Sequence, residues 1–352
     1  MMKEIIRENY LVEVEEAELY VDNEARGRSG HMSHAMTEFA PNCFIDFNAN
    51  NSACRCKGHS QFGTIEYRIS RDSGKSYSEV YELPLSRKLL WDGMYTMSIE
   101  KAVTCDDGTI VAFCLKNTQY SSICCEPWSL PFIIKSEDEG MTWGEPENFT
   151  EYRGRVYDAV YHEGIVYALM FCNQDFLGEK PEHVYRLYTS RDNGKTFEEC
   201  CVLPFDYFKR AYGSLLFDAK GVLHAYVYNE QDELNLDHAI SNDNGKTWTL
   251  LEPCYVAKGM RNPQTAFIDG VYILHGRGLD WGGLVVYTSE DGYIWDEGTV
   301  IAEKRALAYY SNNINLKDEK GNFLLIQYSA PYAEDYRVNV MHQKLRIKRE
   351  SQ

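Results

Sequence analysis

The sequence predicts an all-β fold, a six-bladed β-propeller, and three observations carry that prediction. One short phrase, Ser-x-Asp-x-Gly-x-Ser/Thr-aromatic, is written four times, with a fifth, shortened copy. Between copies, short apolar runs alternate with turns, and no convincing amphipathic helix interrupts them. A strand-like segment near the N-terminus has no local partner, and the C-terminal group of strands is one strand short.

The full copies are Ser70–Tyr77, Ser136–Trp143, Ser190–Phe197 and Ser241–Trp248, and the shortened one is Ser289–Trp295. Each has the chemistry of a turn. Asp and Ser bond nearby backbone N–H groups, Gly supplies positive φ, and the aromatic opens the next strand. The copies recur at intervals of about 50 to 65 residues, which suits four-stranded blades with loop insertions. The carboxylates of these boxes read as scaffold.

After the second copy come the strand Val156–Tyr161, a turn at Glu163-Gly164, Ile165–Phe171 and His183–Thr189. After the third come Tyr212–Phe217, a turn at Lys220-Gly221, Val222–Tyr228 and Leu234–Ile240. The sixth unit, within 305–347, has Tyr309–Leu316, Asn322–Tyr328 and Val338–Ile347 but neither box nor fourth strand. The segment at about 10–22, with Tyr10-Leu11-Val12-Glu13-Val14-Glu15, is expected to complete it and close the ring. The whole chain, 1–352, then forms one propeller domain.

Composition limits the partners. A formal net charge of −17 excludes the basic footprint that nucleic acids and anionic membranes require. It leaves room for a small anion in a local cationic pocket. The charged N-terminus and the absence of a long apolar run predict a soluble, cytoplasmic protein. Its 11 Cys lack regular spacing, so reduced thiols are expected, with no metal site and no cofactor.

Boxes repeated in this way resemble the Asp boxes of the sialidase (neuraminidase) superfamily, and the resemblance spans essentially the whole chain. It implies boxes on the outer rim and a sugar held at the ring axis, by the starts of the innermost strands and nearby loops. Just before those strands stand Arg26-Gly27-Arg28, Arg153-Gly154-Arg155, Lys209-Arg210, Arg261 and Lys304-Arg305, while blade two offers Trp91-Asp92-Gly93. Repeated at equivalent positions, the arginines are expected to line one cationic basin, because a guanidinium holds a carboxylate bidentately. An acidic carbohydrate is the expected partner.

The run Asn262–Arg277 is similar to the sialidase segment in which a Glu opens an innermost strand and a carboxylate-binding Arg ends the next. Arg277 matches that arginine, and Asn262 stands where the Glu would be. The segment Ala308–Asn313 resembles the one holding the nucleophilic Tyr, which points to Tyr310 first and Tyr309 second. The loop before the first box, Asn50–Phe62, holds no Asp at the position of the family's general acid. Asp92 and His59 are therefore the candidate proton donors, with His31 and His34 beside Arg28, and Asp158, Glu230 and Asp280 as further carboxylates. Arg28, Arg210, Arg261, Asn262, Arg277 and Trp91 form the expected binding set. The resemblance implies an exo-acting glycoside hydrolase that removes a terminal acidic sugar such as sialic acid. Two alternatives stay open: a polysaccharide lyase acting on uronic-acid glycans, and a carbohydrate-binding propeller without catalysis.

Overall fold

A computed structural model describes residues 3–31, 34–53, 62–93, 95–118, 130–173, 176–279, 282–303, 309–334 and 337–349. The described strands form six antiparallel sheets. Their innermost members are Met36–Ala40, Tyr95–Thr104, Arg155–His162, Arg210–Phe217, Arg261–Ile268 and Ser311–Asp318. Each touches the next in cyclic order, the sixth meeting the first, so the ring is closed.

Alternation along the strands builds the core. Successive side chains point to opposite faces, and in a radial blade both faces meet a neighbour. Each of the six interfaces between adjacent blades accordingly holds its own apolar cluster. Blades five and six, for example, meet through Ile273, Val286, Val12, Leu324 and Ile326. The axis itself is lined by polar groups.

Blade six is built from both chain ends. Leu11–Val14 pairs with Val338–Lys348, placing Val12 against Ile347 and Val14 against Leu345. Glu18–Val21 pairs with the other end of the same strand. Lys3–Ile6 adds an outermost strand, which the charged N-terminal sequence did not suggest.

The four full boxes share one hydrogen-bond pattern. The box Ser Oγ accepts from the Gly N–H at 2.8 to 2.9 Å, and the Asp Oδ1 accepts from the Ser or Thr N–H four residues on. Two consecutive residues, such as Asn193 and Gly194, take positive φ (58° and 77°). In the second, third and fourth boxes the glycine also lies against the preceding blade: a Cβ on Gly194 would come within 2.4 Å of Val111 Cγ2.

Two described elements depart from the expectation of strands alone, the single turn Asn23–Arg26 and a longer helix. Pro84–Gly93 is an α-helix between blades one and two. Pro84 suits its first turn, Leu85 and Leu89 pack on the cluster of those blades, and Ser86 Oγ accepts from Ile65 N while donating to Leu83 O. A single apolar pair one turn apart was too short a pattern to stand out among strands. No described helix is long and apolar enough to cross a membrane.

Candidate active site

Three of the six innermost strands share a distortion near their starts. Register shifts occur between Val156 and Asp158, between Ala211 and Gly213, and between Arg261 and Gln264. Such bulges turn a side chain out of the regular alternation. Here the residues left out of register include Tyr157, Tyr212 and Asn262, and all three line a cavity of about 60 Å³ on the ring axis. His34, Glu100, Arg155, Gln264, Tyr310 and Asn312 also face it. Its volume is that of a carboxylate group or about two waters.

Tyr310 is the focus of this cavity. Its hydroxyl lies 3.1 Å from that of Tyr212, and the His31 ring meets its ring edge-on at 5.0 Å. Burial and then the neighbouring Tyr212 raise the Tyr310 pKa well above its usual value, while Arg277 and Arg155 act in the opposite sense. Tyr310 also enters the electrostatic environment of Arg261. Arg155, Arg261 and Arg277 thus all act electrostatically on one phenol, which stays neutral at physiological pH, and of the three it is Arg155 that lines the cavity.

These arginines differ in what they have left to offer. Arg155 Nε donates to Glu100 Oε2 at 2.5 Å, with both side chains almost fully buried. Glu100 also accepts from Ser98 Oγ, so the one carboxylate lining the cavity is already engaged. Arg261 is sandwiched between Phe176 and Tyr228, with its Cζ 5.1 and 5.5 Å from the two ring centres. Its buried Nε has no acceptor among the described residues. Arg277 is 5% exposed and lies opposite Arg261 in the strand register.

Asn262 is strained and unsatisfied at once. It has φ 58°, is 5% exposed, and neither its amide nitrogen nor its amide oxygen has a partner among the described residues. Asn tolerates the left-handed region better than most residues, but a buried amide without partners costs roughly 1 to 3 kcal/mol. A residue kept at that cost presents a donor and an acceptor to whatever enters the cavity.

The tautomer of His34 follows from its neighbours. Gln327 Nε2 donates to Asp46 Oδ1 and to the Phe47 carbonyl, so Gln327 Oε1 is the end that faces His34 Nδ1 at 3.1 Å. His34 Nδ1 must therefore carry the proton. Its Nε2 keeps a lone pair, has no partner among the described residues, and belongs to a ring that lines the cavity. Burial lowers the His34 pKa to about 4, against the hydrogen bonds to Gln327 and the His31 backbone. Asp46, the second link, lies 2.8 Å from His342 Nε2.

Below the cavity the axis is plugged. Lys101 Nζ reaches Asp158 Oδ1 at 2.9 Å, Asn312 Oδ1 at 2.7 Å and Gln264 Oε1 at 3.3 Å. Asp158 Oδ2 accepts from Ser214 Oγ and Leu215 N, both at 2.8 Å. Asp158 is thus held as a structural carboxylate.

The other expected residues lie apart from the cavity or outside the described residues. Arg28 donates to Asn50 through Nε (2.7 Å) and Nη2 (2.5 Å), and Arg210 pairs with Asp237 at 2.5 Å. Among the described arginines Arg155 lines the cavity, while Arg261, next to Asn262, stands opposite Arg277 in the strand register, so the single basin expected of them all is not formed. Trp91, 80% exposed, and Asp92 stand at the exposed end of the helix Pro84–Gly93, and neither lines the cavity. Tyr309 packs in the blade-six core and donates to the Glu303 carbonyl. Glu230 pairs with Lys209 at 3.3 Å. His59, Asp280, Lys304 and Arg305 lie outside the described residues. Glu100, Tyr157 and Tyr212 were not foreseen, although Arg155-Val156-Tyr157 and Arg210-Ala211-Tyr212 repeat one phrase at equivalent strand starts.

With its ring of six blades and polar axial cavity, the chain has the six-bladed propeller fold of sialidases. Among solved structures it is similar to a protein of unknown function from Dyadobacter fermentans, at 13% identity and TM-score 0.70, covering 96% of this chain and 99% of that one. It is similar to a Hadza microbial sialidase at 12% identity and TM-score 0.64, covering 93% of this chain and 68% of the other. It is likewise similar to an α-L-arabinanase of Penicillium chrysogenum complexed with arabinobiose, at 12% identity and TM-score 0.61, covering 90% and 97%. No protein-family model matches the sequence, and no curated protein matches it. At such identities the likeness is one of fold.

Proposed function

We propose that the protein is a glycoside hydrolase that removes a terminal carboxylate-bearing sugar, such as a sialic acid, from a glycan. The observation that carries this reading is the axial cavity that Arg155, the unpartnered Asn262 amide and the Tyr310 phenol line together. The Asn262 amide, unpartnered among the described residues, receives the substrate carboxylate in a space of matching size, and its chain neighbour Arg261, whose Nε is also unpartnered there, adds the positive charge. Charge-assisted bonds of this kind are the strong ones in a site screened from water.

With the carboxylate so held, the anomeric carbon lies next to Tyr310. A neutral phenol approaches a carbon bearing a carboxylate without the repulsion that an Asp or Glu nucleophile would meet, and it stabilises the positive charge that develops there. Tyr212 orients the hydroxyl, and His34 Nε2 is the open acceptor for a proton leaving the site. Release of the aryl group from a panel of aryl sialosides and uronides tests the reading. Turnover is expected, lowered by about 10²-fold or more in Tyr310→Phe. No turnover on any member overturns it.

One observation favours a second reading, β-elimination on a uronic-acid glycan. The cavity offers neutral Tyr hydroxyls and an unprotonated His nitrogen, while Glu100 is tied to Arg155. A base and an arginine-held carboxylate are what abstraction of the proton beside that carboxylate requires. Ultraviolet absorbance from an unsaturated product, in place of aryl release, distinguishes the two.

A further inference from the structure

The outer strand of blade three, Glu198–Val202, carries two adjacent cysteines, Cys200 and Cys201. In a regular strand their side chains would point to opposite faces. Here Leu187 stands opposite Cys201 and Tyr188 opposite Glu199, which leaves Cys200 as the extra residue of a bulge. The bulge cancels the alternation, so both sulfurs point the same way. Cys200 Sγ lies 3.4 Å and Cys201 Sγ 3.2 Å from one acceptor, the Gly245 carbonyl in the box turn of blade four. Both residues are partly exposed.

We propose that Cys200 and Cys201 form a redox-active dithiol that exchanges with low-molecular-weight disulfides and closes to a disulfide between neighbouring residues. The Cys200 thiolate attacks one sulfur of the reagent, whose S–S bond breaks and releases one thiolate. Cys201 then gives up its proton and attacks Cys200 Sγ in the mixed disulfide, releasing the second reagent thiol. Two protein thiols are oxidised and one reagent disulfide is reduced to two thiols, so electrons and protons balance.

The surroundings favour Cys200 as the attacking group. The adjoining Cys201 thiol, and then Arg191 and Lys246, draw its pKa down to about 7, while the adjoining Cys200 and burial raise Cys201. Cys105, Cys172 and Cys254 are pushed up to about 12, chiefly by burial. Closure removes both S–H donors from Gly245, a joint between blades three and four. The ring formed by adjacent residues is strained, so the bond is readily reduced again.

The test treats the native protein with oxidised glutathione and maps the thiols by mass spectrometry after tryptic digestion. The peptide between Lys195 and Lys209 separates this pair from Cys124-Cys125. The expected result is loss of two hydrogens from that peptide with no glutathione attached, reversed by dithiothreitol. Cys201→Ser is expected to stop at a stable glutathione adduct on Cys200. Cys200→Ser is expected to slow the reaction of Cys201 about tenfold or more. A wild-type peptide that stays reduced, or that keeps a stable glutathione adduct, overturns the proposal. That wild-type map decides the matter even if a variant fails to fold.

Discussion

Asn262 combines positive φ with an unpartnered buried amide, two costs at one position. Glycine relieves both, so Asn262→Gly should raise unfolding stability by on the order of 1 kcal/mol in urea titrations while weakening binding of an acidic sugar. Unchanged binding would remove Asn262 from the site. His34, His238 and His275 are buried and neutral, their pKa values lowered by burial to about 4, 3 and 3. Unfolded histidines bind protons from about pH 6.5 downward, whereas these bind only near their folded values. The unfolded state is thus favoured increasingly as pH falls from 6.5 toward 4, by on the order of 3 kcal/mol per histidine. The urea midpoint should drop across that window, and His275→Gln should flatten the drop. At this scale the sequence was only partly legible. The resemblance pointed to Tyr310, which lines the cavity, and to Arg277, which stands opposite Arg261 in register, but Arg28 and Arg210 look the same as Arg261 in the chain. What separates them is Asn50 and Asp237, side chains on other strands that take up their donors.

The elements carry the pattern that the eye finds first. A box sets its hydrogen bonds within eight residues, so its geometry is written locally and the turns were readable. The bulges that open the axial cavity were not, because a register shift is a relation between two strands. Gly194→Ala tests the box directly, since it places a Cβ at φ 77° and within 2.4 Å of Val111. A loss of about 2 to 4 kcal/mol is expected by chemical denaturation. Gly164→Ala is the control: it has φ 80° but meets nothing within 4 Å, so its loss should be smaller, about 1 kcal/mol. Equal losses would mean that the box glycine does not act through the contact between blades. The helix Pro84–Gly93 escaped notice for a different reason, since its one apolar pair is satisfied by a neighbouring blade.

At the scale of the whole molecule, ring closure joins chain ends far apart in sequence. The side chains of Val12 and Val14 are fully buried against blades five and six. Val12→Ala should cost about 2 kcal/mol, and removal of residues 1–16 should broaden or split the thermal transition as the ring loses its seam. A single sharp transition after truncation would show that the seam is not needed for cooperative folding. The same closed ring sets Arg155, Arg261 and Arg277, from two blades, in the electrostatic surroundings of one phenol on a third, in a chain whose formal charge is −17. The central claim is that this cluster recognises a sugar carboxylate. Titration calorimetry with N-acetylneuraminic acid, glucuronic acid and their methyl esters tests it most directly. At least one acid should bind about tenfold or more tightly than its ester, and Arg277→Ala should abolish the difference. Equal binding of acid and ester, or binding of neither acid, would contradict it.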